Sequence, residues 1–163
     1  MSSSGHSRVL EFLALQKMDI TVRVLEPEST RTSQAAADKL GCKVAEIAKT
    51  IGFLEGKEKP LLVVLSGDRR VNLALLEREI SRSEKVIALK KMTAGEVKSH
   101  TGYSIGGVPP FPHDDNVMVL VDRSLFRFPM VWAAAGTSNS VMQFPPAVLT
   151  EQMKYRLVNV STE

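Results

Sequence analysis

Two strand-like segments stand side by side near the middle of this chain, and any fold must accommodate them. "KTIGFLEG" (residues 49–56) and "KPLLVVLSGD" (59–68) flank a charged turn with Gly56 and Pro60 at its margins. That pattern is expected of an antiparallel hairpin. In the first segment the two-residue repeat of a strand puts Lys49, Ile51 and Phe53 on one face, with Ile47 pointing roughly the same way. A lysine is out of place in that row. An ammonium cannot be buried alone at low cost, so Lys49 must snorkel outward, meet an anion within the protein such as Asp122, or receive one from a ligand.

Helical patterns alternate with strands on either side of the hairpin, and no repeat is visible. "SRVLEFLALQKM" places Val9, Phe12 and Leu13 at helical spacing, while "DITVRVLE" alternates Ile20, Val22 and Val24 as a strand does. "TSQAAADKLGC" predicts a short helix with Thr32 or Ser33 as N-cap and Gly41 as its stop. Asn72 can cap "LALLEREIS", whose Leu73, Leu76 and Ile80 form a stripe that packs on a sheet. "KVIAL" is strand-like, and Thr93 three residues before Glu96 is a capping-box signal for a helix ending near Gly102. "VMVLVD", "MVWAAAGT" and "SVMQF" return to strand character; "PPAVLTEQMKY" can begin a helix with proline in its first turn, and "RLVNVS" closes as a strand. The expected fold is α+β: a mixed, mostly antiparallel sheet surrounded by helices.

At 163 residues, 44% hydrophobic and 24% charged, the chain reads as one domain over residues 8–163 behind a polar tail, residues 1–7. Runs such as "LLVVL" and "VMVLV" fall far short of the roughly 20 apolar residues that a membrane helix needs, and the tail has no apolar h-region, so a cytoplasmic location is expected. The single cysteine, Cys42, excludes an internal disulfide and a CxxC motif. The net charge of +3, from 21 basic and 18 acidic residues, permits a polyanionic partner without requiring one. Arg69, Arg70, Lys90, Lys91 and Lys98 account for much of the basic clustering, and a solvated surface explains it equally well.

"GYSIGGVPPFPHDDN", residues 102–116, carries the strongest local signal, because a long glycine- and proline-rich loop inside a compact domain is usually functional. Tyr103, Ile105, Val108 and Phe111 can anchor it, Gly106 and Gly107 leave backbone N–H groups open to a ligand, and Pro109 and Pro110 stiffen the residues after them. A rigid structural connector is the alternative. "HDD" (His113, Asp114, Asp115) raises a metal or acid–base site, but His/Cys ligand spacing is absent and neither His6 nor His100 completes an HExxH pattern, so a polar loop rim is favoured. No GxSxG elbow, Walker loop or GxGxxG follows a strand. "GTSNS", Gly136 to Ser140, is by itself a turn that offers hydroxyls and backbone donors.

Taken in order, "TSQAAADKLG", "IAKTIGF", "LVVLSGDRRVN", "TGYSIGGVPPF", "LVDRSLF" and "AAGTSNS" before "FPPAVL" resemble the YbaK/EbsC family, free-standing relatives of the editing domain inserted in bacterial prolyl-tRNA synthetases, over about residues 28–160. The resemblance implies a trans-acting deacylase that hydrolyses the ester of mischarged tRNA carrying a small amino acid, with no metal and no cofactor. Its partner would be the tRNA acceptor end, with a synthetase as a further candidate. It also implies site residues: the family lysine is matched by Lys49, the GxxxP loop by Gly106 to Pro110, the late-strand aspartate by Asp122, and the glycine turn by Gly136 and Thr137. Gly106, Gly107 and Val108 would join Lys49 in the chemistry; Thr32, Thr50, Tyr103, Pro109, Pro110, Phe111, His113, Asp122, Gly136 and Thr137 would contact substrate. Thr50, on the opposite strand face from Lys49, is expected to be structural or a minor contact. Pro112 and His113 depart from the glycine and histidine that relatives often carry there. A tRNA- or nucleotide-binding module without catalysis fits the same residues, and a metal-dependent hydrolase built on "HDD" is a third possibility.

Overall fold

The computed structural model describes residues 5–81 and 88–163. Helix α1 (Gly5–Leu15) leads into β1 (Val22–Val24), a 3-10 turn (Pro27–Thr30) and helix α2 (Ser33–Leu40). The hairpin comes next as β2 (Ala48–Glu55) and β3 (Lys59–Ser66), paired antiparallel with Lys49 opposite Leu65. After it lie β4 (Arg70–Val71), α3 (Leu73–Ser81), β5 (Leu89–Lys91), α4 (Ala94–Thr101) and β6 (Met118–Asp122). A 3-10 turn (Arg123–Arg127), β7 (Val131–Ala134), β8 (Ser140–Phe144), a single π-helical turn (Val148–Gln152), β9 (Arg156–Val158) and β10 (Ser161–Thr162) complete the chain.

The main sheet has the order β5-β2-β3-β6-β9, in which β5, β2 and β3 are antiparallel while β6 and β9 run parallel to β3. The antiparallel sheet β1-β8-β7 packs on one of its faces, and β4 pairs with β10 at the rim. The α+β expectation holds, with the strands divided between a mixed sheet and two smaller antiparallel ones. β3 is central and buried from Pro60 to Ser66, and this explains a run too apolar to alternate.

Two hydrophobic layers enclose the main sheet. On one face Leu54, Leu62, Val64 and Val121 meet Val131, Ala133, Met142 and Phe144 of the smaller sheet, together with Val9 and Leu13 of α1 and Val97 of α4. On the other, Phe53, Leu61, Val63, Leu65 and Leu120 are covered by Leu76 and Ile80 of α3. Each side chain so buried contributes about 1.5–3 kcal/mol. Leu73, read as part of the α3 stripe, is 41% exposed because it begins the helix, before the turn that faces the sheet.

Local capping agrees closely with the sequence. Thr32 Oγ1 accepts from Ala35 N–H at 3.0 Å, Asn72 Oδ1 from Leu75 N–H at 3.0 Å, and Thr93 with Glu96 closes a capping box on α4. The start of α1 is different. Gly5, His6 and Ser7, read as tail, are helical, because Gly5 and Gly136 pass backbone to backbone with no room for a Cβ on either. The strand expected at "KVIAL" begins at Leu89, with Ala88 irregular before it; residues 85–87 lie outside the described residues. The helix expected at "PPAVLTEQMKY" is reduced to the π-helical turn, and no helix among the described residues is long and apolar enough to cross a membrane.

Candidate functional site

β2 is paired along its whole length with β3, but with β5 only at Phe53 to Glu55. At Lys49 to Ile51 its other edge therefore has no partner strand among the described residues. A cleft of about 320 Å³ lies along this open edge. Residues from both faces of β2 line it, Lys49 and Ile51 from one and Ala48 and Thr50 from the other. Thr50, expected to be marginal, thus borders the same space as Lys49. The remaining walls are the start of α2 (Arg31, Thr32, Ser33, Ala36), the glycine loop (Ile105, Gly106, Val108) and the β7–β8 turn (Ala134, Ser138, Ser140).

Lys49 is half-buried and makes no hydrogen bond or ion pair with any described residue. Burial lowers its pKa; nearby Asp68 opposes that shift, and Lys91 and Arg70 reinforce it. Asp68 is already engaged: Arg127 grips it with Nη2 at 2.7 Å and Nη1 at 3.2 Å. That grip holds the Asp68 carboxyl below its ordinary range. The internal ion pair considered for Lys49 is therefore not made, and Asp122 does not supply one either.

The glycine loop is seated by its aromatic residues. Tyr103 and Phe111 are fully buried, Tyr103 donating its hydroxyl to Pro112 O at 3.0 Å and Phe111 packing at a tilt against Phe144 with centroids 5.4 Å apart. Arg8 of α1 covers the Tyr103 ring at 4.3 Å. Gly107 closes the loop against the β7–β8 turn: a Cβ built on it would stand 2.7 Å from Thr137 Cα, which no side chain tolerates. Its N–H donates to Ser104 O at 3.0 Å and so is spent. The N–H groups of Gly106 and Val108, both on the cleft wall, have no acceptor among the described residues.

The structure therefore divides the expected site residues. Lys49, Thr32, Thr50, Gly106 and Val108 share the cleft. Gly107, Gly136 and Thr137 stand behind it: Gly136 packs on Gly5, and the Thr137 hydroxyl is 2.6 Å from Ser140 Oγ. Tyr103, Pro109, Pro110 and Phe111 are buried supports of the loop and do not line the cleft. Ile105, expected as an anchor, is 59% exposed at the cleft mouth.

His113 is also redirected. Its Nε2–H donates to Pro109 O at 2.7 Å, its ring packs edge-on against Tyr103, and its buried Nδ1 has no partner. Burial pushes its pKa down to about 4, so it is a neutral clasp within the loop. Asp114 and Asp115 are exposed beside it, and "HDD" does not assemble into a ligand cluster. Asp122 is fully buried elsewhere, accepting from Ser124 N–H at 3.0 Å, Val160 N–H at 2.9 Å and Ser161 Oγ–H at 2.7 Å. The bonds from Val160 and Ser161 tie the end of β6 to the last strands, the bond from Ser124 caps the turn that follows, and together they account for an aspartate at that position.

Arg31, Ser33, Ala36 and Ser138 also border the cleft; Ser33 and Ala36 fall within "TSQAAADKLG", but none of the four stands out as a site residue from the sequence. "GTSNS" is the available signal for Ser138: with Thr137 and Ser140 bonded to each other, Ser138 presents the turn's uncommitted hydroxyl to the cleft. No cleft-lining residue among those described is a carboxylate, histidine or cysteine, while two, Arg31 and Lys49, are cations. This arrangement can attract an anion and offer main-chain donors. It offers hydroxyls, Ser138 among them, but no carboxylate or imidazole among the described lining residues to act on them as a general base.

Comparison with known proteins agrees. The model of the aminoacyl-tRNA editing domain matches residues 27–151. An uncharacterised Bacillus subtilis (strain 168) protein, YwhH, is 32% identical over 123 residues, covering 76% of this chain and 75% of YwhH. Among solved structures, hypothetical protein APE2540 superposes with a TM-score of 0.84 at 30% identity, over 95% of this chain and 99% of its own. A structure described as a proposed trans-editing enzyme for prolyl tRNA synthetase gives a TM-score of 0.84 at 27% identity, over 99% of this chain and 100% of its own. The motifs, the cleft and these likenesses converge, and the chain belongs to the aminoacyl-tRNA editing domain family.

Proposed function

We propose that this protein is a deacylase that acts in trans on mischarged tRNA, hydrolysing the ester that joins a small amino acid to the terminal adenosine. The observation that carries this reading is Lys49: a cation without a partner on the wall of a cleft that contains no anion among its described residues. The 3′ end of a tRNA supplies the phosphate that this ammonium lacks.

In this reading water attacks the ester directly. An aminoacyl ester is already activated, and a free ribose hydroxyl on the terminal adenosine orients the water, so the cleft needs no covalent nucleophile. The free N–H groups of Gly106 and Val108 stabilise the oxyanion, a role that Gly107, its own N–H spent, does not share. Ala36, Ala48, Ala134 and Val108 leave room for a small side chain. A filter of that kind rejects bulk better than it separates isosteres. Chelators leave the reaction unchanged, and the protein works in the cytoplasm, alone or beside a synthetase.

The test is a deacylation panel: tRNAs charged with alanine, serine, threonine, cysteine or proline, each with wild type and Lys49→Ala. Hydrolysis of at least one small aminoacyl ester that is lost in Lys49→Ala supports the proposal; full activity in the variant removes Lys49 from the mechanism. The lack of any side-chain base among the described cleft residues favours one second reading, a tRNA-binding module without catalysis, and binding without turnover across the panel would establish it.

A further inference from the structure

The topology gathers cations at one end of the main sheet. β3, β6 and β9 run parallel, so their C-terminal ends share a rim, and β2 opposes β3 and starts there; β5 points the same way but ends opposite Phe53, set back from the rim. Along this rim stand Lys49 at the start of β2, Arg69 and Arg70 after β3, and Arg123 and Arg127 after β6, while Lys91 at the end of β5 flanks the row near enough to Lys49 to lower its pKa. Strands lie about 4.8 Å apart, so the row from β2 to β6 extends roughly 10 Å.

The rim loops are fastened to one another. Arg69 donates Nε to Ser161 Oγ at 3.0 Å and Nη2 to Ser161 O at 2.9 Å; Ser66 N–H reaches Ser124 Oγ at 3.1 Å; Arg127 holds Asp68. Arg69, Arg123 and Arg127 surround a shallow depression of about 260 Å³, open to solvent, with Asn159 beside them. The aspartates of the rim are committed. Asp68 is paired with Arg127, and Asp122, at the floor of the depression, accepts three hydrogen bonds; Glu163 meets Arg70 only through its backbone oxygen, at 3.0 Å, and its side-chain carboxylate stays exposed. The side chains of Arg123 and Lys91 are exposed and make no bond to any described residue.

We propose that this rim, from Lys49 to the Arg69–Arg123–Arg127 depression with Lys91 on its flank, is the docking surface for the phosphate backbone of an RNA duplex whose single-stranded 3′ end enters the Lys49 cleft. This deepens the editing proposal and rests on it for the orientation of the RNA. Phosphate contacts of this kind position a nucleic acid without reading its sequence, and duplex RNA is gripped mainly through its backbone. Lys49 is the joint, bordering both the cleft and the row.

The test measures binding of an uncharged hairpin RNA with a duplex stem and a 3′ CCA overhang, at salt concentrations from about 50 to about 200 mM, by wild type, Arg123→Glu and Lys91→Glu. Each variant is expected to bind at least about fivefold more weakly and to flatten the salt dependence by about one unit of log–log slope. A single-stranded CCA oligonucleotide should be affected less. Wild-type affinity and slope in both variants would overturn the proposal, as would failure of the wild type to bind the hairpin, or a charge dependence seen only with anionic vesicles. An aminoacylated CCA trinucleotide separates the two ideas: its hydrolysis by wild type upholds editing even if the rim fails, and weakened hairpin binding without any hydrolysis upholds the rim alone.

Discussion

Arg127 grips Asp68 with both terminal guanidinium nitrogens, at 2.7 and 3.2 Å, and thereby withholds from Lys49 the one carboxylate near it among the described residues. Arg127→Ala should release Asp68 to pair with Lys49. On a minimal aminoacyl trinucleotide, which does not reach the rim, we expect a roughly tenfold loss of kcat/KM, restored by adding Asp68→Ala. A double variant as slow as Arg127→Ala would show that Asp68 is not the cause.

Lys49→Ala removes the cleft's unpaired cation. Deacylation should fall at least about 100-fold, with a melting temperature near that of wild type, because a half-exposed side chain without partners contributes little to stability. A large drop in melting temperature would show that the lysine is structural.

The pH profile should reflect Lys49 directly. Its pKa lies below the ordinary lysine value because of burial, so the charged form, which binds phosphate, is complete at low pH and is lost on the alkaline side sooner than for an exposed lysine. Activity should therefore decline on the alkaline side before an ordinary lysine would lose its proton, and Lys49→Arg should extend the plateau upward in whatever activity it retains. Coincident alkaline limbs would remove Lys49 from the titration.

Gly107→Ala tests the seam between the glycine loop and the β7–β8 turn. The added Cβ meets Thr137 main chain at 2.7 to 2.8 Å, and no flexible side-chain tip can yield, so a loss of about 1–3 kcal/mol in stability is expected together with deacylation. Urea melts and the panel assay check both.

His113 gives a pH dependence of stability. Its pKa is about 4 in the folded protein and near 6.5 unfolded, so the unfolded chain takes up a proton first as pH falls. The stability present above pH 6.5 should decline between about 6.5 and 4, by on the order of 3 kcal/mol from this residue. His113→Phe should flatten that part of the urea-midpoint curve, and an unchanged slope would assign the effect to other groups.

Signals confined to a few residues were legible in the sequence, and those that depend on distant chain were not. Thr32, Asn72 and the Thr93–Glu96 pair announce their helices because each cap closes within three residues. Lys49 was legible because a strand row with one cation in it is anomalous wherever it folds. Asp122 misled: as a string character, a buried carboxylate looks the same as one in a cleft, and what distinguishes it here are donors from Val160 and Ser161, far along the chain. His113 misled in the same way, since its role depends on packing against Tyr103 and a bond to Pro109. Arg31 was missed because nothing near it in sequence says that α2 opens toward β2.

The crossing of Gly5 with Gly136 bears on how this protein can change through descent. Where side chains touch, one replacement can be offset by another across the contact; here main chain meets main chain, and no second substitution can make the space that a first one takes. Lineages can keep this junction or abandon it, and those that abandon it must find another way to brace the turn that carries Ser138.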